Sequence, residues 1–169
     1  MNIILIGMPG SGKTSIGKNL AKKLDMGFID TDKLIEKEYG NIREIIKKKG
    51  DNFFCKIEEE LLKRKLWNTE NSVISTGGSV VLKPDLIEFF RSLGKIVYLE
   101  VSYKEIEYRI KYLRKSQREI VGISHGLEKV YLQRKPLYER YADIIFYTEK
   151  RIFKKHAERL AEIVLKQYH

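Results

Sequence analysis

A single cysteine in 169 residues, Cys55, excludes an intramolecular disulfide and offers no thiol pair for a structural metal. Stability must therefore come from packing. With 43% hydrophobic residues the chain is long enough for one sizeable core and short for two, so one domain is expected over 1–169. No Pro- or Gly-rich linker, low-complexity tract or internal repeat marks a boundary within it. Long apolar runs are missing too. Ile3–Met8, Ser72–Ile74 and Ile96–Val101 fall far short of the ~18 to 20 residues that a bilayer span needs. Met1-Asn2-Ile3 leads directly into a strand pattern without the basic region or cleavage site of a signal peptide. A cytoplasmic protein with no membrane partner is the expectation, and a monomer is the default.

Charge of one sign is in excess: 33 Lys and Arg against 23 Asp and Glu give a formal +10. A nucleotide, an acidic metabolite or a nucleic acid would each suit that sign. The basic residues are interleaved with glutamates, as in Glu105–Lys115, and no RNA-binding signature accompanies them. A solvated basic surface explains the excess, and no nucleic-acid partner is expected.

Apolar periodicity alternates between the two regular structures. Asn2–Ile6, Gly27–Asp30, Ser72–Thr76, Lys95–Val101 and Ile144–Tyr147 read as strands. Thr14–Leu24, Lys33–Tyr39, Ile42–Lys49, Phe54–Trp67, Pro84–Leu93, Tyr103–Leu113, Leu127–Ala142 and Arg151–Lys166 read as helices. Strands separated by helices imply parallel pairing through right-handed crossovers, with ligands at the strand carboxyl ends. The spacing predicts a three-layer α/β/α sandwich on a five-stranded parallel sheet. Between Lys115 and Gly126 the apolar period is lost, which predicts a mobile loop between two helices.

Gly7-Met8-Pro9-Gly10-Ser11-Gly12-Lys13-Thr14 carries the full Gly-x-x-x-x-Gly-Lys-Ser/Thr pattern between a predicted strand and a predicted helix. Glycines allow successive amides to face one phosphate, and the helix start adds partial positive charge. Gly10, Ser11, Gly12, Lys13, Thr14 and Ser15 are therefore assigned to ATP. Lys13 reaches the β- and γ-phosphates, and the Thr14 hydroxyl stands where Mg²⁺ is held. The chain shows no Asn-Lys-x-Asp guanine signature, and its length leaves no room for a large accessory domain. A small kinase that transfers phosphate to a hydroxyl fits better than a switch or a motor.

Further along, Asp30-Thr31-Asp32 closes the second strand, Gly50 to Glu58 opens a helix, Thr76-Gly77-Gly78 ends the third strand, and Arg134-Lys135-Pro136-Leu137-Tyr138 lies in a late helix. In this order and spacing, from Asn2 to about Thr148, the chain resembles the shikimate kinases. The resemblance implies a P-loop fold like that of the nucleoside monophosphate kinases, and phosphorylation of shikimate to shikimate 3-phosphate by ATP in aromatic amino-acid biosynthesis. It also implies roles. Asp30 holds Mg²⁺ through water, and Asp32 binds the acceptor hydroxyl and orients or accepts its proton. Gly77 and Gly78 contact the acceptor, Arg134 binds its carboxylate, and Glu58 orients such arginines. Arg118 closes over the γ-phosphate within a lid at about 112–127, and Lys111 approaches the nucleotide. Simpler readings compete with several of these: a helix cap for Asp32, a plain turn for Gly77-Gly78, and solvated helix charges for Glu58, Lys111 and Arg134.

Three positions depart from the family pattern. Phe54 is followed by Cys55 where the family has an arginine, Ser79 stands in place of a third glycine, and Arg118 is followed by Glu119-Ile120-Val121-Gly122 in place of Pro-Leu-Leu. A thiol cannot supply the bidentate contact of a guanidinium. All three departures fall on the acceptor side, and the nucleotide side is intact. This distribution leaves two alternatives open: a kinase acting on another hydroxy acid or amino acid, or a nucleotide-binding regulator without transfer activity.

Overall fold

In the computed structural model, which describes residues 1–113 and 120–167, the sheet holds β1 (Asn2–Ile6), β2 (Gly27–Asp30), β3 (Ser72–Ser75), β4 (Gly94–Glu100) and β5 (Ile144–Tyr147). All neighbours pair in parallel, in the order β2-β3-β1-β4-β5. The helices are α1 (Lys13–Leu24), α2 (Thr31–Tyr39), α3 (Ile42–Leu66), α4 (Pro84–Leu93), α5 (Tyr103–Tyr108), α6 (Leu127–Tyr141) and α7 (Phe153–Gln167). Gly50 has φ 83° and breaks α3 into the two helices that the periodicity predicts. A π-helical turn, Arg109–Leu113, continues α5.

The two-residue period of the strands builds both outer layers. In β1, Ile4 and Ile6 face one core with residues of α4 and α6, while Ile3 and Leu5 face the other with residues of α1 and α7. β4 divides in the same way, Ile96 and Tyr98 against Val97 and Leu99. Central strands buried on both faces explain why these segments read as continuous apolar runs. β5 lies at the edge and is covered on one side only: Ile144 and Phe146 are buried, Ile145 and Tyr147 exposed. A third, smaller cluster joins Ile35 of α2 with Ile42, Phe54 and Leu61 of α3, and it also takes Val121. Among the described residues no helix is long and apolar enough to cross a membrane.

The first and fourth strands meet closely. A side chain at Gly94 would overlap the backbone carbonyl of Asn2, its partner in the parallel ladder. Backbone cannot yield as a flexible side chain can, so Gly94→Ala should cost about 2 kcal/mol or more by overpacking. Chemical denaturation of the two proteins measures this directly, with an expected fall in midpoint and an unchanged slope.

The helices that follow β1 and β3 lie on opposite faces of the sheet, since α1 belongs to one core and α4 to the other. Their divergence opens a crevice beyond the carboxyl ends of these strands, as expected for open α/β sheets.

Candidate active site

That crevice is a cleft of about 430 Å³, large enough for a small ligand. At one end lies the glycine loop. Gly10 (φ 84°) and Gly12 (φ 94°) both adopt the left-handed backbone that residues with a Cβ avoid, and α1 begins immediately after Gly12. Lys13 is buried and folds back onto its own loop. Its ammonium donates to the carbonyls of Gly7 (2.7 Å) and Met8 (2.8 Å) and approaches the Ser11 hydroxyl at 3.4 Å. Burial lowers its pKa from 10.5 to about 8, against the raising effect first of Asp32 and then of Asp30. Both carboxylates therefore act on the loop lysine.

Asp30 carries two duties. Its Oδ1 caps α2 by accepting the backbone N–H groups of Asp32 (3.1 Å) and Lys33 (3.4 Å), and its Oδ2 accepts the Thr14 hydroxyl at 3.0 Å. The helix starts two residues earlier than its periodicity suggests, so the cap falls on Asp30. Asp32 lies in the first turn, half-buried on the cleft wall. The Ser75 hydroxyl lies 3.5 Å from that of Thr14. Thr14, Asp30 and Ser75 thus gather hard oxygen donors at the end of β3. Among the described residues no cluster of three or more His, Cys, Asp or Glu forms a closed metal cage. An open set of one carboxylate and hydroxyls fits Mg²⁺, which keeps waters and substrate phosphates in its coordination shell.

At the other end, Gly77 and Gly78 follow β3; Gly77 faces α2 and α3, and Gly78 packs against Pro9 of the glycine loop. A Cβ on Gly77 would stand 2.9 Å from Glu58 Oε1 and 3.2 Å from Asp32 Oδ1. The Tyr138 hydroxyl of α6 donates to the Gly78 carbonyl at 2.6 Å, fixing the turn from behind. Arg134, one helical turn earlier, is 1% exposed, and its guanidinium donates to the Val121 carbonyl at 2.5 Å. Its Nε has no partner among the described residues. A buried guanidinium with donor capacity left over is suited to an anion.

The structure brings Lys13, Thr14, Asp30, Asp32, Glu58, Gly77, Gly78 and Arg134 to one cleft, with Gly10, Gly12 and Ser15 on its wall and Ser11 buried beneath Lys13. It does not bring Lys111 there: that residue is exposed, with its ammonium 5.1 Å from the ring of Tyr112. Arg109, two residues before, lines the cleft instead and donates to the Gly10 carbonyl at 3.2 Å. The sequence pattern carried no signal for this residue, nor for Arg151 and Phe153 at the mouth of the loop, because their partners are distant in the chain. Glu58 also differs from expectation. Among the described residues its carboxylate meets the ammonium of Lys83 and the hydroxyl of Ser79, and no arginine. Ser79 adopts φ −90°, ψ −5°, a conformation that requires no glycine.

Arg118 lies outside the described residues, with the rest of 114–119. The part of the expected lid that follows is docked: Ile120 and Val121 are buried on the cleft wall, and the Gly122 N–H donates to Asp51 at 2.9 Å.

A family model described as shikimate kinase matches residues 9–165. A shikimate kinase of Francisella tularensis subsp. holarctica is 34% identical over 168 residues, covering 98% of this chain and 96% of its own. Among solved structures, the shikimate kinase from Acinetobacter baumannii in complex with shikimate superposes with a TM-score of 0.84 at 27% identity, over 98% of this chain and 93% of that one. The shikimate kinase from Bacteroides thetaiotaomicron does so with 0.82 at 30% identity, over 98% of each.

Proposed function

The chain belongs to the shikimate kinase family, and from that premise we propose that it transfers the γ-phosphoryl of ATP to shikimate, giving shikimate 3-phosphate. The observation that supports this most is the placement of a phosphate-binding lysine and a helix-borne carboxylate, Lys13 and Asp32, in one cleft closed at its far end by the buried Arg134. A phosphate donor, a hydroxyl acceptor and an acceptor carboxylate each meet a suitable group.

The amides of Gly10 to Thr14 and the start of α1 receive the phosphates, and Lys13 leaves its loop carbonyls for the β- and γ-oxygens. Ser15 continues that cradle. Thr14 and Asp30 would hold Mg²⁺, which when bound supplies positive charge against the charge that develops on the transferred group. Asp32 accepts or orients the proton of the attacking hydroxyl. Arg134 holds the acceptor's carboxylate so that this hydroxyl is presented in line, where most of the rate gain in phosphoryl transfer arises. Arg109, Arg151 and Phe153 form the wall nearest the loop mouth and suit the nucleotide base by stacking and by charge. Arg118 is assigned to closure over the γ-phosphate, and the docked Ile120 and Val121 exclude water on that side.

The pKa of Lys13 gives this reading a pH signature. In the free protein the ammonium is present below about pH 8 and lost above it. Since only the charged form attracts phosphates, kcat/KM for ATP should be level below pH 8 and fall about tenfold per unit well above it. Initial rates at subsaturating ATP between pH 6.5 and 9.5 measure this limb.

The reaction is tested by coupled ADP release with Mg-ATP and shikimate, with product mass determined and Lys13→Ala as control. Saturable, Lys13-dependent formation of a shikimate monophosphate is the expected result. ATP binding without that product would transfer the assignment to another hydroxy acid or amino acid.

A further inference from the structure

Glu58 is wholly buried at the acceptor end of the cleft, on α3. One oxygen, Oε2, takes the Lys83 ammonium and, at 3.4 Å, the Ser79 hydroxyl; the other, Oε1, has no donor among the described residues. Lys83 is 9% exposed and does not line the cleft, so it stands behind the carboxylate. Its position is fixed by its neighbours. Pro84 confines the residue before it to extended backbone, here φ −122°, ψ 93°, and the Lys83 carbonyl accepts the N–H groups of Leu86 and Ile87 at the start of α4. Cys55 lies one helical turn before Glu58 and is within the influence of Lys83, Glu58, Asp51 and Arg134 together.

A buried carboxylate beside an acceptor pocket needs a cation, both to offset its burial and to avoid repelling an acidic ligand. From within α3 the natural source would be a side chain at position 55, and a thiol with its pKa raised by burial supplies no charge. Lys83 reaches the same carboxylate from the β3–α4 connection.

We propose that Lys83 is the positioning residue of the acceptor pocket: paired with Glu58, it supplies the charge that position 55 lacks and so allows an acid to bind beside that carboxylate. The inference rests on the shikimate reading above. Ser79 takes part, since its hydroxyl meets the oxygen that Lys83 holds. The unpartnered Oε1 faces Gly77 and is the half of the carboxylate left open to a second cation.

The test compares steady-state constants of wild type, Lys83→Met, Lys83→Arg and the double variant Lys83→Met/Cys55→Arg. Lys83→Met should raise the KM for shikimate about tenfold or more while the KM for ATP stays within about twofold, because the lost cation lies at the acceptor end only. Lys83→Arg should keep most of the wild-type value. The double variant should recover it, with arginine approaching Glu58 from its own helix. A purely structural lysine would shift both KM values together and would not be rescued from position 55. An unchanged shikimate KM in Lys83→Met, a parallel rise in both constants, or a double variant that folds without recovery would overturn the proposal. Should Lys83→Met alone fail to fold, the double variant decides: wild-type-like shikimate KM supports the proposal, and a misfolded or unrecovered protein overturns it. Wild-type protein inactive on shikimate would overturn the family reaction itself, and this inference with it.

Discussion

Asp32→Asn should lower kcat by roughly 10²- to 10⁴-fold while leaving the nucleotide bound, because the amide keeps the shape of the side chain and loses its capacity to take a proton. The backbone of Asp32 in the first turn of α2 is held by another residue. Asp30 Oδ1 holds its N–H at 3.1 Å and caps the helix, so the fold should tolerate the exchange. A second effect follows from the same geometry. Asp32 is the larger of the two influences that raise the pKa of Lys13 against burial. Removing its charge should move the alkaline limb of kcat/KM for ATP below pH 8, in the same direction as the burial effect. A residue that merely shaped the pocket would leave that limb in place. Measuring kcat at saturating substrates and kcat/KM for ATP against pH separates the two consequences, and an undiminished kcat would remove Asp32 from the chemistry.

Lys13→Ala should lower kcat/KM for ATP by roughly 10²- to 10³-fold, the cost of removing one preorganised donor aimed at developing negative charge. Stability should move the other way or not at all. The ammonium is buried in the free protein, and its pKa lies below that of an exposed lysine, so the folded chain binds this proton less well than the unfolded chain does. Below about pH 8 its charge opposes folding; as pH rises from there toward 10.5 the opposition is relieved. Removing the side chain relieves it at neutral pH, against the loss of its contacts with the Gly7 and Met8 carbonyls. Thermal unfolding at pH 7 should therefore show a midpoint for Lys13→Ala equal to or above that of wild type. A large drop would mean that the lysine chiefly braces its loop.

The two acidic residues illustrate how far a sequence reading extends. Asp30 and Asp32 were legible as cleft residues because they stand at a strand end ahead of a helix. Which of them caps that helix was not, since an Asp at either position satisfies a cap pattern and only the backbone at Asp30, extended with φ −107° and ψ 114°, decides. Gly50 was legible as a break, since a glycine between two apolar periods serves as one without help from tertiary contacts. Glu58 was legible as buried chemistry only through the family resemblance, and its partner among the described residues was not. Arginine was expected, and the cation is Lys83, 25 residues away. Arg109 illustrates the same limit: its carbonyl acceptor on Gly10 is 99 residues distant. On a helix of mixed charge, nothing distinguishes it from Lys111 until the sheet order places α5 beside the loop.

What the sequence determined by itself is whatever depends on neighbours in the chain. The glycine loop between β1 and α1 is such a case, because its amides, its glycine conformations and Lys13 are contiguous. The alternation of strands with helices is another, because the period of two or 3.6 residues is written locally. What only the tertiary structure decided is the partner that each charged group around the cleft takes: Glu58 with Lys83, Arg134 with the Val121 carbonyl, Arg109 with the glycine loop. These groups are buried, and a buried charge takes whichever partner the packing brings near. That choice is made by the order β2-β3-β1-β4-β5, which places segments far apart in sequence side by side at the carboxyl ends of the strands.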